Sequence, residues 1–211
     1  MSPRRILDLF CGAGGAAMGY HLAFPDAEIV GVDINPQPNY PFTFVQADAM
    51  TYPLDGFDFI HASPPCQRHS QMSQCRPGLA DKYPDLIAAT RERLDANGAP
   101  YVIENVPGAP LIDPVELCGQ MFGLRLYRHR LFECSFPVPL TMHPPHTIPA
   151  SKAGHWKPGT IMSVAGHVSP MSEARAAMGI DWMTRDELSE SIPPAFTRYI
   201  GECFAGLERA A

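Results

Sequence analysis

A chain of 211 residues is long enough to bury one full core and too short for two large domains, so one catalytic-sized domain is expected. Hydrophobic residues at 45% and charged residues at 18% describe an ordinary globule, and no run approaches the ~18 apolar residues of a membrane span. The net charge of −6 argues against a nonspecific nucleic-acid coat, so any contact with DNA has to come from a local patch.

Met1-Ser2-Pro3-Arg4-Arg5 leads into a strand-like run and does not read as a secretory leader, so a cytoplasmic protein with no membrane partner is expected. Residues 5–10 read as a buried strand and 14–24 as the following helix, where Ala16, Ala17 and Gly19 are small enough for close helix packing. Residues 28–33 form a second strand ending in Asp33, about 20–25 residues beyond the glycine-rich turn, the spacing at which Rossmann-like units place a ribose-binding acid. Residues 42–48 and 57–62 suggest two more strands, 81–97 a helix closed by Asn97-Gly98, and 101–106 a further strand. Residues 126–133 alternate apolar and charged, as an outer strand would. Strands alternating with helices imply an α/β fold, a mostly parallel sheet with helices on both faces whose ligands gather at the carboxyl ends of the strands.

Between Cys134 and Pro170 the chain carries seven prolines and four histidines without a clear period, and reads as an irregular loop or a very small module. Ser191-Ile192-Pro193-Pro194 then introduces a final helix. The expected divisions are therefore a catalytic and cofactor-binding core over 1–133, the irregular segment over 134–170, and a C-terminal segment over 171–211 that completes the core.

The polar residues that end the apolar runs carry the chemistry. Phe10-Cys11-Gly12-Ala13-Gly14-Gly15 lets backbone amides approach a ligand, although its glycines do not fit the GxGxxG spacing. Asp33 and Asp48 end later strands. Six cysteines form no CxxC pair and are expected to be reduced, and of these only Cys66 follows a backbone fixed by two prolines, Ser63-Pro64-Pro65-Cys66-Gln67. A thiol there is a nucleophile once it is a thiolate. Glu104, after three apolar strand residues, is placed for a raised pKa and for sharing a proton near neutrality. Arg128 and Arg130, two apart, are expected on one side of their strand, able to bind a carbonyl oxygen and a phosphate.

In the order DLFCGAGG, VDIN, ADA, SPPCQ, ENV, RxR and IPP, these segments resemble the DNA cytosine-5 methyltransferase family over nearly the whole chain. The resemblance implies a Rossmann-like methyltransferase fold that binds S-adenosylmethionine and releases S-adenosylhomocysteine. It implies cofactor contacts from Phe10, Gly12 and Gly14, from Asp33 to the ribose and Asp48 to adenine, and from Ile34, Ala49, Pro65 and Ser191. It also implies that Cys66 attacks C6 of cytosine, Glu104 binds the N3 and N4 edge, and Arg130 reaches O2 with Arg128 beside it. Gln67, Arg68, Ser70 and Asn105 would contact the substrate, double-stranded DNA with the target base flipped out. Residues 68–83 would close over that base.

The chain departs from the family in two places. The interval that usually holds a target-recognition region offers only the proline-rich stretch, with Lys152, His155, Trp156 and Lys157 as candidate DNA contacts. The short length and thin recognition region are similar to phage or mobile-element enzymes, acting in a bacterial or phage-infected cell as in restriction-modification, with a specificity partner or a second copy as the other candidate partner. In the last segment Ser191 stands where the family commonly has Asn after Gly. Two alternatives keep the motifs but change the role: the same chemistry on a free cytosine nucleotide or RNA, or a non-catalytic cofactor-binding subunit needing a partner. Cys134, His143, His146 and His155 match no standard zinc module, and no metal is expected.

Overall fold

The computed structural model describes residues 3–65, 85–139, 141–152 and 154–210. Among them seven strands, β1 (Arg5–Leu9), β2 (Glu28–Asp33), β3 (Thr43–Gln46), β4 (Phe59–Ala62), β5 (Tyr101–Asn105), β6 (Val115–Leu117) and β7 (Arg130–Cys134), form one sheet. Their spatial order is β3-β2-β1-β4-β5-β7-β6. The first five run parallel, and β7 lies antiparallel between β5 and β6. The order reverses between β1 and β4, which opens a crevice at the carboxyl ends of those strands.

Among the described residues, five α-helices accompany the sheet: α1 (Gly15–Ala23), α2 (Ile87–Asn97), α3 (Met171–Met178), α4 (Arg185–Glu190) and α5 (Pro194–Ala210). β1 shows why the strands form, since Ile6, Leu7 and Leu9 are fully buried and alternate between two core layers. Ile6 shares one layer with Ala17, Tyr20, Phe59, Phe196, Ile200 and Phe204 from the α1 and α5 side. Leu7 and Leu9 share the other with Val30, Val32, Ile60, Ile103 and Leu94 of α2. Among the described residues, no helix is long and apolar enough to cross a membrane.

The structure corrects two sequence expectations about element bounds. The strand expected over 126–133 occupies only Arg130–Cys134, because Arg128 has a left-handed φ of 36° that interrupts extended backbone, and β6 covers what was expected to be an outer strand. The helix expected over 81–97 begins at Ile87; residues 81–84 lie outside the described residues. The described residues of 135–170 hold no helix or strand, and Met162, Val164 and Val168 from this segment join Ala174, Ala177, Met178, Met183 and Leu188 in a third core cluster under α3 and α4, with Trp156 and Trp182 packed against it. Trp156 thus anchors its loop, while Lys152, His155 and Lys157 are exposed.

α1 and α5 pack closely enough that Thr197 Oγ1 donates a buried hydrogen bond to the Ala16 carbonyl at 2.8 Å. Gly19 makes this approach possible, because a methyl on it would overlap Thr197 Oγ1 and the Pro194 carbonyl. Gly19→Ala is therefore expected to lower stability by ~1–3 kcal/mol through overpacking, read as a lower urea midpoint. An unchanged midpoint would contradict the close packing.

Candidate active site

The turn after β1 is built from left-handed backbone. Phe10 (φ 56°), Gly12 (φ 47°) and Gly14 (φ 83°) turn the chain into α1, whose N-terminus has no side-chain cap. Gly14 N donates to the Cys11 carbonyl and Cys11 N to the Val32 carbonyl, each at 3.1 Å, so the turn is held closed by its own amides. Phe10 pays a cost in that region that a glycine would not.

Asp33, at the end of β2, clamps this turn: its Oδ2 accepts from Gly12 N at 3.1 Å and its Oδ1 from Asn35 N at 2.9 Å. A carboxylate has about four acceptor sites, so it retains capacity for hydroxyl donors. Asp48 is exposed at the same edge, its Oδ1 accepting from Met50 N at 2.8 Å. Ile34 is 66% exposed beside them, an apolar surface among polar groups. Ser191 lies against Gly15 at the start of α1, and its Oγ is buried with no hydrogen-bond partner among the described residues. Ala49 differs from its neighbours: its side chain is buried in the core layer shared with Leu54 and Leu94, and its carbonyl accepts from Arg93 at 2.7 Å, so any contact it makes with a ligand is through the backbone. Pro65 is half-buried where the described segment ends.

A second group lies at the ends of β4 and β5. Ser63 N donates to the Leu9 carbonyl at 3.1 Å, so the segment leaving β4 starts level with the glycine turn. Glu104 is buried, and its Oε1 pairs with Arg130 Nε at 3.0 Å. Burial pushes the Glu104 carboxyl above its ordinary range, while Arg130, a hydrogen bond from Ser63 and Arg128 pull it back. Arg128 lies outside β7, yet it still serves this side of the site: its guanidinium donates to the Val164 carbonyl at 2.6 Å and the Ser189 carbonyl at 2.8 Å. Arg128 and Arg130 share the wall of one hollow with Ser163, Ala165 and Ser189.

Asn105 has another part than the substrate contact expected of it. Its Nδ2 donates to the Pro64 carbonyl at 2.9 Å and its Oδ1 accepts from Val106 N at 3.0 Å, so a fully buried amide spends both ends on the loop leading to Cys66. Cys66 itself, Gln67, Arg68, Ser70 and the rest of the expected covering segment lie outside the described residues. Cys11, Cys118, Cys134 and Cys203 are free thiols as expected. Burial pushes Cys134 up to about 12 and Cys11 higher still, so neither is a nucleophile near neutral pH.

Sequence reasoning missed a buried hydrogen-bond chain behind Glu104. Tyr20 Oη lies 2.9 Å from His61 Nδ1, His61 Nε2 lies 2.9 Å from Ser63 Oγ, and Ser63 bonds Glu104. With Glu104 ionised, Ser63 has to donate to it, so His61 donates from Nε2 and Tyr20 donates to Nδ1. Burial drives His61 down to about 3, which keeps the ring neutral. The signal was present as a histidine inside an otherwise apolar strand, since a buried imidazole requires partners.

No protein-family model matches the chain, and no curated protein matches it. Among solved structures, the methyltransferase EhMeth of Entamoeba histolytica matches with a TM-score of 0.61 at 12% identity, covering 98% of this chain and 99% of that one. The fold is a Rossmann-like methyltransferase fold. A partial likeness extends to an RNA methyltransferase from Salinibacter ruber in complex with S-adenosyl-L-homocysteine, over 66% of this chain and 87% of that one, at 15% identity and a TM-score of 0.36.

In the folded chain Glu104 holds its proton to higher pH than in the unfolded chain. Its contribution to stability is therefore full below the ordinary glutamate range and lost as pH rises through the raised pKa. Ser63→Ala removes a hydrogen bond to the ionised form and should move that pKa further up. Carboxyl 13C shifts of Glu104 against pH measure this directly, and an unmoved or lower titration would show that Ser63 does not act on it.

Proposed function

We propose that the chain transfers a methyl group from S-adenosylmethionine to C5 of cytosine in DNA. The observation that carries this reading is the buried Glu104, raised in pKa and paired with Arg130, held beside the Pro64-Pro65 segment that leads into Cys66.

The residues at the first crevice fit the cofactor. The turn over Phe10, Gly12 and Gly14 leaves open space beside Gly12 for the cofactor's charged end while the Gly12 and Gly14 amides hold the turn itself, Asp33 and Asp48 offer acceptors to hydroxyl and amine donors, Ile34 offers an apolar surface to a ring, and Ser191 Oγ has no partner among the described residues. S-adenosylmethionine supplies an electrophilic methyl on a sulfonium.

Cytosine C5 is a poor nucleophile until a thiolate adds at C6, and Cys66 is placed in sequence to do so. A protonated Glu104 has one O–H for N3 and one acceptor for the N4 amine, which matches that edge of the base. Arg130 has five donors and uses two in the bonds to Glu104 and the His129 carbonyl, leaving others for O2. After C5 takes the methyl, loss of the C5 proton to a base and elimination of Cys66 restore the ring. Tyr20, His61 and Ser63 hold the carboxyl of Glu104 in one orientation throughout. DNA as the substrate rests on the resemblance carried by SPPCQ and ENV.

Incubation with duplex DNA containing 5-fluorocytosine and S-adenosylmethionine tests the reading, because fluorine at C5 blocks the final elimination. A covalent protein–DNA band is expected with the unaltered chain and not with Cys66→Ala, and Glu104→Gln should form it ~100-fold or more slowly. Cofactor binding without a band on DNA, or with transfer only to RNA or a free nucleotide, would overturn DNA as the substrate.

A further inference from the structure

We propose that Cys118, His129, His143 and His146 form a tetrahedral zinc site that pins the proline-rich segment to the edge of the sheet. The ligand atoms of these four residues all lie within 4.8 Å of one another. Sequence reasoning had grouped His143 and His146 with Cys134 and His155. The fold instead brings them to Cys118 and His129, while Cys134 Sγ is directed to the Phe132 carbonyl at 3.9 Å.

The sheet itself fixes two of the ligands. Leu117 of β6 pairs with Arg130 of β7 in antiparallel register, so Cys118, just after β6, and His129, just before β7, face one another at the strand ends. The other two come from His143-Pro144-Pro145-His146, where two prolines restrict the backbone and reduce the entropy lost on ligation. Cys118 Sγ and His146 Nε2 are 3.4 Å apart, and His129 Nε2 and His143 Nε2 are 3.1 Å apart. With Zn–N near 2.0–2.1 Å and Zn–S near 2.3 Å, a tetrahedral site separates its nitrogens by about 3.3 Å and sulfur from nitrogen by about 3.6 Å. These two pairs already have those spacings. His143 is exposed and Tyr127 does not stack on it, so a rotation of its side chain can close the wider gaps.

The donor set selects the metal. One thiolate and three imidazoles suit a borderline-soft ion that accepts four-coordination, and disfavour calcium or magnesium, which require oxygen. All four positions are filled by protein, which describes a structural site and not a catalytic one. The surroundings are built for it: the Tyr127 ring stacks on His146 with centroids 3.6 Å apart, and its hydroxyl donates to the Ile148 carbonyl. His129 directly precedes Arg130, which pairs with Glu104, so a metal here would also steady the arginine end of the active site.

The test is metal content of tag-free protein, purified, incubated with zinc and desalted, so it does not depend on methyl transfer. About one zinc per chain is expected, with loss in Cys118→Ser and in His143→Ala. The His143 change is at an exposed position and keeps the test valid if the buried cysteine change prevents folding. His155→Ala and Cys203→Ser should keep the metal. Cobalt(II) in place of zinc should give the intense visible bands of tetrahedral coordination and a thiolate charge-transfer band that His155→Ala retains. A chain without stoichiometric zinc, or one in which His143→Ala binds it as well as the unaltered chain, would overturn the proposal.

Discussion

A carboxyl group withdrawn from water has to be compensated by its neighbours, and the carboxyl edge of this sheet is organised around that demand at Glu104. The compensation depends on strand direction. Asn105, at the end of β5, pairs with Leu131, so the antiparallel run of β7 places its first residue, Arg130, just past the end of β5. A parallel strand in the same place would begin at the opposite edge and leave the carboxyl without its guanidinium. The reversal of β7 is thus what makes a buried acid tolerable at this edge.

Behind the acid, the hydrogen bonds have one direction. Tyr20 to His61 to Ser63 to Glu104 is a donor chain with a neutral imidazole in the middle, satisfied inside a low-dielectric layer where an unpaired member would be costly. It ties α1, β4 and β5 together through polar contacts, within the same layer that Phe59, Phe196 and Phe204 fill with apolar ones. Asn105 does a similar task for the loop leaving β4, by holding Pro64. The rigidity of the site thus comes from groups that need never touch a ligand.

Much of this was legible in the sequence where local pattern and tertiary demand agree. β1, β2 and β5 are apolar runs that the sheet buries on both faces, so each run, and the acids Asp33 and Glu104 near the ends of β2 and β5, could be read directly. Glu104 was conspicuous for the same reason. Its supports were not, because Tyr20, His61 and Ser63 acquire their roles only when the helix and strands meet. β6 has three residues and no period to detect, and Arg128 alternates properly in sequence while its backbone turns left-handed. The run of prolines and histidines after β7 shows in sequence as irregular, but the core that Met162, Val164 and Val168 join has no period to detect, because its other members come from two short helices further on.

The contact between α1 and α5 constrains how the chain comes to be folded. Thr197 reaches Ala16 across 181 positions, and the face of α1 around Gly19 has its partner only in that distant helix. During synthesis, residues 15–23 leave the ribosome long before 194–210, and at about 5–20 residues per second the gap is on the order of ten seconds or more. Through that interval one face of α1 and the apolar surface beneath it stay uncovered, so this layer is the last to close and the one through which an incomplete chain would associate with others.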